Sequence, residues 1–133
     1  MQPASIRVCV KRHENDCAVA CFVMLLGVSY EAALIAISKV DPTLATKGLY
    51  FTQLRKAAKE LGVKLVSVPR KKYDVDNAVG ILGVKYADKH EHAVVLFRGV
   101  VIDPEGGIIW DSVDAFVEAE GVSLLSLLVL AEK

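Results

Sequence analysis

Cys17 lies at a sharp boundary in the sequence, where a polar segment gives way to a long apolar one. In the stretch "KRHENDCAVACFVMLLG", nine consecutive apolar residues, 18–26, follow Cys17 and precede Gly27. A helix that is apolar on every face is buried, so Cys17 would lie at the N-terminus of an interior helix. Unpaired N–H groups and a partial positive charge at that end stabilise a thiolate, and the same N–H groups can bind an oxyanion. This position therefore favours a nucleophilic cysteine.

The other two cysteines have a simpler interpretation. Free cysteine is among the most buried residue types and packs as a small apolar side chain. Cys9 falls within a predicted strand, Ile6 to Val10, and Cys21 falls in the middle of the apolar helix. We predict that both belong to the core.

A base for the thiol is predicted from strand pairing. "HAVVLFRGVVIDP" reads as a β-hairpin turning at Arg98-Gly99, so that Phe97 pairs with Val100 and Val94 lies opposite Asp103. Side chains alternate along a strand, so His92 shares a face with Asp103 at a diagonal distance of about 7–8 Å. Such a pair can orient the imidazole and let it activate a thiol.

Two further histidines leave alternatives open. His90 shares the parity of His92 but lies farther from Asp103, and His13 lies just upstream of Cys17, so both are reserve candidates for the base. His13, His92, Cys17 and Cys21 also suggest a zinc site, yet their spacing matches no known zinc motif. We predict neither a metal nor another cofactor.

The composition narrows the class of protein. Sixteen basic and sixteen acidic residues cancel in a chain of 133, which we interpret as one domain spanning residues 1–133. A neutral chain predicts no nucleic-acid partner, and the basic triplet Arg70 to Lys72 reads as a solvated loop. No apolar run reaches the roughly 18 residues of a membrane span, so no membrane insertion is expected. Three irregularly spaced cysteines indicate a reducing, cytoplasmic setting.

The order of predicted elements indicates an α+β fold. Three helices come first: one from Cys17 to Leu26, a second capped by Ser29, and a third, "FTQLRKAAKELG". Strands follow in "VKLVSV", "AVGILGV", "HAVVLF", "GVVID" and "SLLSLLVLA", with a short helix capped by Ser112 before the last. Helices first and strands afterwards favour N-terminal helices packed on an antiparallel sheet.

With these residues identified, the chain resembles the bacteriocin-processing, or double-glycine, peptidase family of papain-like cysteine peptidases. The similarity lies in "NDCAVACFVMLLGVSYEAAL", "GLYFTQLRKAAKELGV" and "HAVVLFRGVVIDPEGG", in that order, between Val10 and Trp110. It implies a small papain-like fold, with Cys17 as nucleophile, His92 as base and Asp103 as the acid that orients it. Family members cleave after Gly-Gly, and for this chain the resemblance implies a peptide or protein substrate cut at a peptide or isopeptide bond, with cleavage after glycine as one expected specificity.

Two positions depart from the family pattern. Lys11 stands six residues before Cys17, where the family has a glutamine that donates to the oxyanion, and Ala18 replaces a glycine. The resemblance places Lys11 and Cys17 in the oxyanion hole, where an ammonium differs in shape from an amide. The alternative is a weakly active or inactive peptidase fold that binds peptides or proteins, because a fold does not guarantee activity.

Overall fold

The computed structural model describes residues 6–10, 17–40 and 51–131. Within these ranges it contains four α-helices, six β-strands and one 3-10 turn. In chain order they are α1 (Cys17–Leu26), α2 (Tyr30–Val40), α3 (Phe51–Glu60), β1 (Leu65–Val68), the 3-10 turn (Arg70–Lys72), β2 (Val79–Lys85), β3 (Glu91–Phe97), β4 (Val100–Asp103), β5 (Ile108–Trp110), α4 (Val113–Glu120) and β6 (Ser123–Leu130).

The helix boundaries follow from local chemistry that the sequence already carries. Gly27 ends α1 in the left-handed region, at a φ of 69°, which glycine adopts without a steric penalty. The Ser29 hydroxyl accepts a hydrogen bond from the N–H of Ala32 at 3.1 Å, and that of Ser112 accepts one from Ala115 at 3.1 Å. Both predicted serine caps are therefore confirmed.

The strands form one antiparallel sheet in the order β1-β6-β2-β3-β4-β5. Helices α1 and α2 pack against each other, and α1 also packs on β2 and β3. Helix α4 contacts β4 and β5. The predicted α+β fold, with helices packed on an antiparallel sheet, is confirmed.

Both faces of the central strands are buried, and this decides where the side chains of β3 point. Ala93 and Val95 belong to the core that includes α1. Val94 and Leu96 belong to a second core around Phe116 of α4. Even-numbered positions of β3, among them His92, therefore face away from the α1 side of the sheet.

The predicted strand from Ile6 to Val10 is wrong, because this segment is described and carries no regular secondary structure. Ile6 and Cys9 pack against the first core, while Val8 and Val10 are 38% and 48% exposed. Of its three β-branched residues only Ile6 packs against this core, and the segment has no place in a hydrogen-bonded ladder. Cys9 is correspondingly only partly buried, in a coil.

The turn after β4 brings this N-terminal segment close to the sheet. Gly106 and Gly107 occupy the turn between β4 and β5 with φ values of 79° and 66°. A Cβ at Gly107 would lie 3.0 Å from Cγ2 of Val10. The coil that leads toward Cys17 therefore lies against the turn that follows Asp103.

Among the described helices, none alone has the length and hydropathy to cross a membrane. Helices α1 and α2 meet those two criteria only when taken together, as a pair bent by 120°.

Candidate active site

The β3–β4 hairpin has the predicted register. Phe97 pairs with Val100 and Val95 with Ile102, so the next pair along the ladder sets Val94 opposite Asp103. The turn residues Arg98 and Gly99 have φ values of 49° and 86°, as a two-residue hairpin turn requires. His92 and Asp103 consequently extend from the same face at the open end of the hairpin.

His92 and Asp103 form a shielded hydrogen bond. Nε2 of His92 lies 2.9 Å from Oδ1 of Asp103, and the two side chains are only 10% and 6% exposed. The same carboxylate oxygen also accepts the N–H of Glu105 at 2.9 Å. Asp103 precedes Pro104, which restricts it to an extended backbone at the end of β4. These two constraints hold the Asp103 carboxylate in place independently of its bond with His92.

Cys17 is the first residue of α1 and completes a chain of three side chains. Its thiol lies close enough to the His92 side chain and to the backbone N–H groups of Ala93 and Ala18 for hydrogen bonding with all three to lower its pKa. Because Nε2 of His92 is committed to Asp103, Nδ1 is the nitrogen left for the thiol. The imidazole thus bridges sulfur and carboxylate.

The backbone of β3 explains how a helix on one face of the sheet meets a histidine on the other. Tyr86 donates its N–H to the carbonyl of His90 at 2.9 Å, which fixes the alternation of hydrogen bonds between β2 and β3. By that alternation, the N–H of Ala93 points toward the β4 side. β4 ends at Asp103, opposite Val94, so no strand residue occupies the place beside Ala93. This orientation leaves the N–H of Ala93 available to the Cys17 thiol, whose pKa it helps to lower.

The charges at the site favour an ion pair. Burial raises the pKa of the Cys17 thiol, but its hydrogen bond with His92, the positive charge of His92 and the two backbone bonds together bring that pKa below its usual value. Burial lowers the pKa of His92, while the bonds with Asp103 and Cys17 and the negative charges of both groups raise it to about 10. Between these two pKa values the pair exists as a thiolate and an imidazolium.

Cys21 lies one turn farther along α1 and has the opposite character. Its side chain is fully buried in the first core. Burial and the negative charges of Cys17, Asp103 and Cys9 raise the pKa of Cys21 well above its usual value. The prediction that Cys21 is a core residue is confirmed.

Of the remaining candidates, only His90 lies within the described residues, and it does not join the triad. His90 is largely exposed and its Nδ1 lies 2.5 Å from Oδ1 of Asp88. Lys11 and His13 lie outside the described residues, and so does the predicted helix cap at Asn15 or Asp16. Within the described ranges, no three histidine, cysteine, aspartate or glutamate side chains are arranged to hold a metal ion.

Sequence reasoning missed Tyr86, whose ring centroid lies 6.4 Å from that of His92. Tyr86 stacks on His90 at 4.3 Å, with an angle of 8° between the ring planes. The signal that could have identified it is the pairing of β2 with β3, because the register Val84 with His92 continues to Tyr86 with His90.

Neither a protein-family model nor a curated protein matches the sequence. A thiol of lowered pKa at a helix N-terminus, an imidazole bonded to it and a carboxylate that orients this imidazole are the groups that acyl transfer requires.

Proposed function

We propose that the protein is a cysteine peptidase in which Cys17 is the nucleophile, His92 the acid–base group and Asp103 the residue that orients His92. One observation carries the proposal: the continuous series of hydrogen bonds from the Cys17 thiol through His92 to the buried carboxylate of Asp103. The three groups come from one helix and two separate strands, which argues against a chance arrangement.

The first half of the reaction forms an acyl-enzyme. The Cys17 thiolate attacks the carbonyl carbon of the scissile amide, and the carbon–sulfur bond forms as the oxygen becomes negatively charged. The His92 imidazolium then donates its Nδ1 proton to the leaving nitrogen as the carbon–nitrogen bond breaks. Asp103 retains its bond to Nε2 throughout and keeps the ring oriented.

The second half returns the site to its starting state. Neutral His92 takes a proton from water while the water oxygen attacks the thioester carbon. The carbon–sulfur bond breaks, and the free carboxylic acid and the Cys17 thiolate are released. The imidazolium is then restored beside the thiolate.

The first turn of α1 supplies part of the stabilisation of the oxyanion. The N–H groups at a helix start have no partner within the helix and carry partial positive charge. An oxyanion formed next to the Cys17 sulfur lies within reach of these groups, among them the N–H of Cys17 itself. Removal of one such donor typically lowers the rate about 10²–10³-fold, so the first turn of α1 accounts for much of the rate enhancement.

The substrate class we propose is a peptide or protein, cut at a peptide or isopeptide bond. The chemistry of the triad is the same for both linkages, since each presents an amide carbonyl and a nitrogen leaving group. We also propose a cytoplasmic setting, because a reducing compartment keeps the Cys17 thiol free.

The test is cleavage of a mixed peptide library and of isopeptide-linked substrates, with new termini identified by mass spectrometry. We expect the wild-type protein to generate new termini and Cys17→Ala to generate none. Cys21→Ala is the matched control, because it removes a thiol from the same helix but not from the site. It should stay active and lose about 1 kcal/mol of unfolding free energy, as expected for one buried methylene-sized group. Cleavage that persists in Cys17→Ala would refute the proposal.

A further inference from the structure

Tyr86 and His90 close the β2–β3 hairpin next to the proposed active site. The N–H of Tyr86 donates to the carbonyl of His90 at 2.9 Å, and the N–H of Lys89 donates to the carbonyl of Tyr86 at 3.0 Å. Lys89 adopts a positive φ of 78° in the three-residue turn, 87–89. Because the two closing residues are directly opposite, their rings lie on one face and stack at 4.3 Å.

Asp88 fixes the orientation of the His90 ring. Its Oδ1 lies 2.5 Å from Nδ1 of His90 and accepts the backbone N–H of the same residue at 3.1 Å. Two bonds to one carboxylate oxygen restrict the rotation of His90. The nearly parallel stack, with 8° between the planes, then holds Tyr86 from its outer side.

On its other side Tyr86 faces the catalytic histidine. The ring centroids of Tyr86 and His92 lie 6.4 Å apart at an angle of 45°. Tyr86 is half-buried and packs against the second core, on the face of the sheet to which His92 and Asp103 also belong. Burial and the negative charges of Asp103, Glu120, Glu105 and Cys17 raise the pKa of Tyr86 to about 12, so the phenol stays neutral at physiological pH.

We propose that Tyr86, braced by His90 and Asp88, is a positioning residue that keeps water away from the hydrogen bond between His92 and Asp103. Water that reached this bond would compete for the Nε2 proton and would weaken the attraction between imidazolium and carboxylate by raising the local dielectric constant. The low exposure of both partners, 10% and 6%, is what such a cover produces. His90, a reserve candidate for the base by sequence, then holds the Tyr86 ring in place and takes no part in proton transfer.

The direct test observes the Nε2 proton of His92 by NMR in the absence of substrate. A proton held in a shielded bond exchanges slowly with water and gives a resolved imidazole N–H resonance, which His92→Ala assigns by its loss. We expect the resonance in the wild-type protein and its loss through rapid exchange in Tyr86→Ala. Tyr86→Phe should retain it, because the ring and not the hydroxyl provides the cover.

Tyr73→Ala is the matched control. Tyr73 is a second half-buried tyrosine against the second core, and its hydroxyl donates to the carbonyl of Leu125 at 2.7 Å. Its removal should cost stability but leave the His92 resonance in place. Three results would overturn the inference: no resolved resonance in the wild type, retention in Tyr86→Ala, or equal loss in Tyr73→Ala.

The effect on turnover rests on the proposed peptidase function. For peptide cleavage we expect Tyr86→Ala to lower kcat roughly tenfold and to leave KM unchanged. This is the lower end of the loss seen when a residue that holds a functional side chain in place is removed. Tyr86→Phe should keep the wild-type kcat. A wild-type protein that cleaves nothing but shows the shielded resonance would refute the peptidase and leave the role of Tyr86 standing. An active enzyme whose Tyr86→Ala variant keeps both the resonance and kcat would do the reverse.

Discussion

Cys17 and Cys21 lie one turn apart on the same helix, yet their surroundings give them opposite chemistry. At the helix start, His92 and two backbone N–H groups outweigh the effect of burial and lower the pKa of Cys17. One turn deeper, burial and the negative charges of Cys17, Asp103 and Cys9 raise the pKa of Cys21. Residue type and helix are the same in both cases. The difference is that Cys17 lies next to the N–H donors of a helix end and next to His92 of the sheet, whereas Cys21 lies inside the helix.

The substitution that should reduce the difference in reactivity between Cys17 and Cys21 most strongly is His92→Ala. Without the imidazolium, Cys17 retains the helix N-terminus but loses its ion-pair partner and its proton donor. We expect hydrolysis to fall by about 10²–10⁴-fold, the usual contribution of a positioned acid–base group, and thiol reactivity at neutral pH to approach that of Cys21. Initial rates of peptide cleavage measure the first effect. Near-wild-type cleavage by this variant would assign the base to another residue.

Asp103→Asn should reduce the difference in reactivity between Cys17 and Cys21 without abolishing it. The asparagine fills the same volume, and its amide can still bond the imidazole, but it brings no negative charge to stabilise the imidazolium. We expect cleavage to fall about 10²-fold and to remain measurable, a smaller loss than in a serine-based relay because the thiolate is already formed.

The control for this variant is Asp88→Asn, at the exposed aspartate that bonds His90. Its effect on cleavage should be much smaller, since Asp88 acts only through His90 and Tyr86. If the two substitutions had equal effects, the distinction between the buried and the exposed histidine–aspartate pair would fail.

The smallest effect should come from the glycine turn after Asp103. Both Gly106→Ala and Gly107→Ala place a side chain at positive φ, which costs about 1–2 kcal/mol per residue. Only at Gly107 does the new Cβ fall 3.0 Å from Val10, in the coil that leads toward Cys17, whereas at Gly106 the nearest atom is Cγ1 of Ile108 at 3.7 Å.

We therefore expect Gly107→Ala to lose about 1 kcal/mol more unfolding free energy than Gly106→Ala in denaturant titrations, at the low end of overpacking costs. Identical stabilities of the two variants would show that the coil accommodates the new methyl group freely.

Much of the site could be predicted because its parts obey short-range rules. The apolar run after Cys17 predicts a buried helix and its start, and a two-residue turn at Arg98-Gly99 fixes the register that joins His92 to Asp103. Each inference needs only the local period of helix or strand. The same rules separate Cys17 from Cys21 before any tertiary contact is considered.

The missed features depend on partners that no local pattern reveals. The segment from Ile6 to Val10 has the residues of a strand, but it joins no ladder. Ile6 and Cys9 pack against the core, and Val10 lies beside the Gly107 turn. Tyr86 reaches His92 through the β2–β3 hairpin, whose turn lacks the Asn-Gly or Asp-Gly dipeptide that marks tight hairpins. A three-residue turn with Lys89 at positive φ gives no such signal.

The central claim is that Cys17 is a thiolate because His92 is an imidazolium, and the pH dependence of its alkylation tests this most directly. Iodoacetamide labelling followed by peptide mass spectrometry gives separate rates for Cys17 and Cys21 at each pH. We predict that Cys17 labels faster than Cys21 at neutral pH, with a midpoint below 9.0, the ordinary value from which its pKa is lowered. In His92→Ala that midpoint should move upward. A wild-type midpoint at or above 9.0, or one that His92→Ala leaves unchanged, would contradict the ion pair.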